Sequence, residues 1–250
     1  MDLYLQGKTA IVSGASQGLG RAIATTLAAE GVRVFATARN VELLESLKQE
    51  IVDAGGPEPI VFVQDFLPED AGAKIADAAH EAFGHIDIIV NNAGASYPVN
   101  ITAPEEIWKE AIALNFDGHR RLTERLLPQM IERKSGSILN ITGTAEPMNV
   151  NIGSIGAAAM TNWSKGLSRD LGKYGITSNC IQPGLLDTAQ IRRIFPGDER
   201  RKFAEREISL GDFGEPQDVG NMAAFLVSGR ARYVTGTVVV VDGGMRHYAF

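Results

Sequence analysis

The residues best suited to do chemistry lie in an early turn, SGASQGLG, at positions 13–20. Gly14, Gly18 and Gly20 carry no Cβ, so the chain can bend sharply there and a ligand can approach the backbone. An apolar run, TAIVSG, precedes the turn, and a helix-forming stretch follows it. The first amides of that helix have no partner within it and point at whatever lies ahead, which makes the turn a seat for phosphate. Gly14, Ser16, Gln17, Gly18, Leu19 and Gly20 are therefore the candidate contacts for the phosphates of a dinucleotide. A glycine triplet alone is a weak signal; the strand before it and the helix after it strengthen this one.

The spacing is G-x-x-x-G-x-G, and a second motif, NNAG at 91–94, closes the fourth apolar run. Together they resemble the short-chain dehydrogenase/reductase family, and the resemblance extends over nearly the whole chain. Asp65, next to Phe66, looks like the family's adenine contact, and Asn92, Ala93 and Gly94 join the cofactor-binding set. Asn115 in ALNFDG matches the family's helix asparagine, which anchors a water-linked proton relay. QPGLLDT matches its Pro-Gly segment, so Pro183, Gly184 and Thr188 are expected to face a nicotinamide. VTGTVVVVDGG matches the final strand. The resemblance implies hydride transfer between a nicotinamide cofactor and a carbonyl or alcohol.

The choice of cofactor turns on the end of the second strand. An acidic residue there would bond the ribose 2′-hydroxyl and repel a 2′-phosphate. Here the strand ends ATARN, and Arg39 can pair with the 2′-phosphate. NADP(H) is expected in preference to NAD(H).

The proton-moving half departs from the family. The resemblance calls for a tyrosine on the helix that begins near residue 151, a lysine four residues on that lowers its pKa, and a serine after the fifth strand. Two registers are possible. In one, Lys165 is the lysine and Thr161 takes the tyrosine position, but this would delete about eight helical residues, roughly 12 Å. In the preferred register, WSKGLSRDLGKYGITSN aligns without a gap, and the tyrosine and lysine positions fall on Gly153 and Ala157. The serine position falls on Gly143, and Thr142 and Thr144 beside it are the only nearby hydroxyls. Asn115, Thr142 and Thr144 are thus the candidate catalytic residues.

Other groups are weaker candidates for the proton donor. Tyr97 follows NNAG, but a loop aromatic packed on its neighbours is the plainer reading. Glu146 would need burial to raise its pKa, and an exposed loop carboxylate is expected. Ser154 is an unactivated hydroxyl. His119, one turn beyond Asn115, is expected to be a satisfied histidine on a helix surface. His80, His85 and His247 show no metal spacing, and one cysteine, Cys180, makes a zinc site unlikely.

These residues must be positioned by alternating strands and helices. Apolar runs begin near residues 9, 32, 59, 86, 136, 176 and 236, with helical periodicity between them and one long helix over 104–134. The alternation predicts an α/β fold: a doubly wound, parallel, seven-stranded sheet of Rossmann type, forming a single domain over 1–250. The formal net charge of −6 argues against a nucleic-acid partner. No apolar run reaches membrane length, no signal peptide is evident, and the single cysteine fits a reducing cytoplasm. The small residues at 157–160 suggest a helix that packs on a second copy, in a homodimer or homotetramer. The arginine-rich stretch at 189–214 corresponds to the family's substrate lid. An acidic substrate would suit it, although a solvated amphipathic helix explains the charges as well.

Three functions follow: an NADP(H)-dependent oxidoreductase acting on a small molecule through an atypical relay, a non-redox enzyme using the cofactor as scaffold, and a nucleotide-binding pseudoenzyme.

Overall fold

The computed structural model describes residues 1–248 except Thr144, Ala145 and Met148. Seven strands form one parallel sheet: β1 (Thr9–Ser13), β2 (Arg33–Ala38), β3 (Ile60–Val63), β4 (Ile88–Asn91), β5 (Gly136–Ile141), β6 (Ile176–Pro183) and β7 (Val238–Val241). Their order is β3-β2-β1-β4-β5-β6-β7. The chain winds outward from β1 to β3, then crosses back to β4 on the other side of β1. That reversal opens a crevice above the carboxyl ends of β1 and β4, the place where such sheets hold ligands.

Nine α-helices are found among the described residues. On one face α1 (Gly18–Ala29), α2 (Val41–Asp53) and α9 (Pro216–Leu226) pack Ile23, Leu27, Leu44, Leu47, Ile51, Val219 and Ala223 against Ala10, Val12 and Val34. On the other, α3 (Ala71–Phe83) and α5 (Gly118–Arg133) pack Ile75, Ala79, Leu122, Leu126 and Met130 against Ile11, Phe35, Ile89 and Ile138. Ile11 and its neighbours Ala10 and Val12 thus feed opposite layers, as the two-residue period of a strand requires. Both faces are buried, which is why the strands read as continuous apolar runs.

The helix expected over 104–134 is interrupted. It consists of α4 (Glu105–Ile112), a π-helical turn (Ala113–Asp117) and α5, with Lys134 ending it in the left-handed conformation at φ 52°. The extra residue of a π turn widens the helix locally, and Asn115 sits inside it. The Asn115 Nδ2 donates to the Ala111 carbonyl at 2.8 Å.

The next helix, α6 (Ile152–Leu171), starts where expected, because the Asn151 side chain accepts from Gly153 N and caps it. Between β6 and α9 lie two short helices, α7 (Ala189–Ile194) and α8 (Asp198–Glu207). Phe195, Phe203 and Phe213 form a small aromatic core beneath them.

Candidate active site

Every residue expected to touch a cofactor lies at or just beyond the carboxyl end of a strand, so parallel pairing alone gathers them on one edge of the sheet. The turn after β1 is shaped by its glycines. Gly14 and Gly18 take φ of 65° and 56°. A Cβ on Gly20 would collide with the Gly14 carbonyl. Gln17 stands at the N-cap of α1 without capping it through its side chain. The first amides of α1 therefore lack a side-chain cap, as an anion seat requires. Ser16 is buried, and its carbonyl accepts from Arg21 Nη1 at 3.3 Å, while Leu19 anchors the turn in the apolar layer beneath.

The NNAG segment is tied to this turn by Ser13, a contact the sequence reading did not single out. The Ser13 hydroxyl accepts from Asn92 N at 2.9 Å and Ala93 N at 3.0 Å, and Asn92 Nδ2 donates to the Ser13 carbonyl at 2.9 Å. A Cβ on Gly94 would come 2.9 Å from Asn115 Oδ1, so a larger residue there would push the Asn115 side chain aside. Across the crevice, Thr188 caps α7, and its methyl carbon lies 3.6 Å from where a Gly18 Cβ would be. Pro183 ends β6, and the amide of Gly184 donates to the Val241 carbonyl at 2.8 Å. The Pro-Gly segment and the glycine turn therefore face each other. Arg39 is exposed at the tip of β2 and pairs with no described carboxylate. Asp65 accepts from Leu67 N at 3.1 Å, and Phe66 beside it is buried. These features fit a dinucleotide: a cradle that a Cβ would fill, an uncapped helix terminus, and an open cation at the rim.

His119 departs from expectation. It is 3% exposed, not on a helix surface. Its Nε2 lies 2.6 Å from the Ala93 carbonyl, to which it donates as the neutral imidazole, and its Nδ1 has no partner. The ring packs on Phe66 with centroids 4.7 Å apart. Burial pushes its pKa down to about 4. His119 thus joins the loop after β3 to the loop after β4.

The corner to which the resemblance assigns proton transfer is held together by backbone pairing. Residues 95–99 are stitched to the start of α6. Asn151 is the knot: its Oδ1 accepts from Tyr97 N at 3.0 Å and Gly153 N at 3.0 Å, and its Nδ2 donates to Ser96 Oγ at 2.7 Å. Ile152 N donates to the Tyr97 carbonyl at 3.0 Å, and Val99 N to the Val150 carbonyl at 3.1 Å. The pairing presses the Ala95 carbonyl oxygen against Gly153, and a Cβ built there would run into that oxygen. One turn on, a Cβ on Gly156 would come 2.7 Å from Asn115 Cβ. An asparagine ahead of a helix is a legible capping signal, but the strand-like pairing it organises is not.

Apart from Ser154, the described hydroxyls and amides put forward as donors are engaged. Asn115 Oδ1 accepts from Ala95 N at 3.1 Å. Thr142 is 8% exposed, and its hydroxyl donates to the Ile181 carbonyl at 3.2 Å, within the sheet. Thr144 lies outside the described residues. The Tyr97 hydroxyl donates to Glu110 Oε1 on α4 at 2.9 Å, and burial followed by that carboxylate pushes its pKa up to about 12. That direction is opposite to what a proton donor at neutral pH needs. Glu146 is not a bare loop carboxylate: its Oε1 accepts from the amides of His247 at 3.2 Å and Tyr248 at 3.3 Å. Lys165 Nζ donates to the Gly236 carbonyl at 3.0 Å, which agrees with the register that leaves it out of the site.

The lid arginines are committed within the lid. Asp187 accepts from Arg192 Nε at 2.7 Å and from Arg200 Nη1 at 2.5 Å. Hydrogen bonds from Arg192 first, and from Arg200, hold its pKa down at about 2. Arg200 also lies over the Phe213 ring, 4.4 Å from its centroid.

Residues 14–246 match the family model described as enoyl-(acyl carrier protein) reductase. The chain is 31% identical over 250 residues to the 3-oxoacyl-acyl-carrier-protein reductase of Aquifex aeolicus, covering 98% of this chain and 100% of that one. It is 32% identical over 246 residues to the 7alpha-hydroxysteroid dehydrogenase of Escherichia coli, covering 97% and 96%. Among solved structures, L-sorbose reductase from Gluconobacter frateurii complexed with NADPH and L-sorbose superposes with a TM-score of 0.93 at 29% identity, over 99% of this chain and 100% of that one. A 7alpha-hydroxysteroid dehydrogenase complexed with NADH and 7-oxo glycochenodeoxycholic acid gives 0.91 at 32%, over 97% and 96%.

Proposed function

The chain belongs to the short-chain dehydrogenase/reductase family of oxidoreductases, and from that premise we propose that it is an NADP(H)-dependent member whose proton relay does not use a tyrosine and a lysine. The observation that carries this reading is the glycine turn with its uncapped helix terminus, facing Thr188 across the crevice. Gly14, Ser16, Gln17, Gly18, Leu19 and Gly20 hold the phosphates, and Arg39 takes the 2′-phosphate. Asp65 and Phe66 flank the adenine, Asn92, Ala93 and Gly94 pass beneath the sugar, and Pro183, Gly184 and Thr188 border the nicotinamide. Bound there, the cofactor would supply hydride. Asn115 shapes the corner by holding Ala95 N, and Thr142 braces it through the sheet. Thr144 completes the set taken from sequence.

The collision between a Gly153 side chain and the Ala95 carbonyl favours a second reading, a nucleotide-binding pseudoenzyme or a non-redox enzyme that keeps the cofactor as scaffold. We take the chain as one domain over 1–250, acting in the cytoplasm on a small molecule. Ala158 and Ile155 are exposed on α6 and supply a face for a homodimer or homotetramer, while Met160 turns inward.

Calorimetric titration of NADPH and NADH into the wild type and Arg39→Ala tests the reading. NADPH binding at least tenfold tighter than NADH, with the difference lost in Arg39→Ala, is expected, because a charge-assisted hydrogen bond contributes about 1.5–3 kcal/mol. Absence of binding by either nucleotide would overturn it.

A further inference from the structure

The segments proposed to hold the adenosine half of the cofactor leave strands that do not touch. Phe66 follows β3 and Ala93 follows β4, and β2 and β1 stand between them in the sheet. At about 4.8 Å per strand, the two loops emerge roughly 14 Å apart. Among the described residues, no hydrogen bond joins 64–67 to 91–95. The start of α5 spans the gap instead. A Cβ on Gly118 would come 2.7 Å from the Phe66 ring and 3.1 Å from the Phe66 carbonyl oxygen. His119, the next residue, touches both sides. Its ring faces Phe66 with centroids 4.7 Å apart and planes inclined by 44°, and its Nε2 donates to the Ala93 carbonyl at 2.6 Å. Nδ1 has no partner among the described residues, so the Ala93 bond is the ring's polar anchor.

At 3% exposure the imidazole presents almost no surface to a ligand, so it acts through its neighbours. Resting on the NADP(H) reading above, we propose that His119 is a positioning residue for cofactor binding. It is a strut that fixes the distance between the Phe66 loop and the Ala93 loop, and with it the slot for the adenine and its ribose. The two contacts act on opposite walls. The ring stops the Phe66 loop from sinking toward α5. The hydrogen bond draws the Ala93 carbonyl inward. A buried carbonyl without a donor is costly, so without the imidazole this one would turn outward, into the crevice that the sugar has to enter. The effect belongs to one half of the cofactor. Pro183 and Gly184 stand at the end of β6, which β5 separates from β4, and no hydrogen bond or ring contact of His119 reaches them.

The test uses two ligands, 2′,5′-ADP, which is the adenosine half with its 2′-phosphate, and whole NADP⁺. Each is titrated by calorimetry into the full chain. His119→Phe keeps a ring against Phe66 and loses the donor. It should weaken both ligands by the same factor, at least tenfold, because the lost contact serves the adenosine half alone. His119→Gln, which keeps a donor for the Ala93 carbonyl, should stay within threefold of the wild type. A second measurement needs no variant to fold: nuclear magnetic resonance of the wild-type imidazole. The Nε2–H resonance reports the length of the Ala93 bond, and it should shift when 2′,5′-ADP saturates the protein, since the ligand then loads both loops that the ring bridges. An unshifted resonance at saturation overturns the inference, as does a folded His119→Phe that binds 2′,5′-ADP as tightly as the wild type; both leave the functional reading standing. Failure of the wild type to bind either ligand overturns the functional reading and the inference with it.

Discussion

The carbonyl oxygen of Ala95 stands where the first side-chain carbon of any residue replacing Gly153 would have to go. The contact is set by backbone on both sides, because residues 95–99 and the start of α6 are paired through Asn151, Ile152 and Val99. A tyrosine is therefore excluded by the path of the chain and not merely replaced.

Gly153→Ala should for that reason destabilise the protein by about 1–3 kcal/mol, the usual cost of forcing an extra carbon into a packed place. Ala157→Lys, at a half-buried position that already bears a Cβ, should be tolerated better. Urea unfolding of the two variants measures the difference. The double variant Gly153→Tyr with Ala157→Lys should not acquire ketone reductase activity. A well-folded, active double variant would show that the 95–99 segment yields easily.

The buried His119 makes stability depend on pH. Its pKa is about 4 in the folded chain against an ordinary value of 6.5, so at intermediate pH the unfolded chain binds the extra proton. The stability it contributes is complete above about pH 6.5 and is lost as pH falls toward 4. Between pH 7 and 5 the wild type should lose about 2 kcal/mol more than His119→Gln, which keeps a donor for the Ala93 carbonyl without a titrating ring. Denaturant unfolding at both pH values gives the comparison, and parallel pH dependences would place the titration elsewhere.

Asp187 should matter to the lid more than to the fold. Its partners Arg192 and Arg200 belong to α7 and to α8, so one carboxylate clamps two helices to the segment after β6. Arg192 is well exposed, and solvent screens such a pair, so Asp187→Asn should alter global stability by less than about 1 kcal/mol. Amide exchange in α7 and α8 should nevertheless accelerate while the sheet stays protected. Unchanged exchange in both helices would assign their position to the phenylalanine cluster instead.

The histidine and the long helix show where pattern reading stops. His119 follows Asn115 at helical spacing, and nothing in the local sequence says that Phe66 and Ala93, from two other loops, close over it. The π turn at Ala113–Asp117 is likewise invisible to periodicity, because one extra residue shifts the apolar pattern by less than the pattern's own irregularity. Tyr97 and Glu110 lie 13 residues apart on different elements and meet only in the folded chain.

The sequence by itself determined the alternating parallel architecture, the glycine turn and the edge of the sheet on which the site lies. Those follow from local rules: backbone freedom at glycine, apolar periodicity, and strand ends that parallel pairing must bring together. The resemblance read from it also puts the family's tyrosine, lysine and serine positions on Gly153, Ala157 and Gly143. Only the tertiary structure decided what stands in their place, an acceptor carbonyl pressed against Gly153 and a buried, half-satisfied histidine. Such contacts join segments distant along the chain, and they depend on how loops settle over the sheet, which no local propensity encodes.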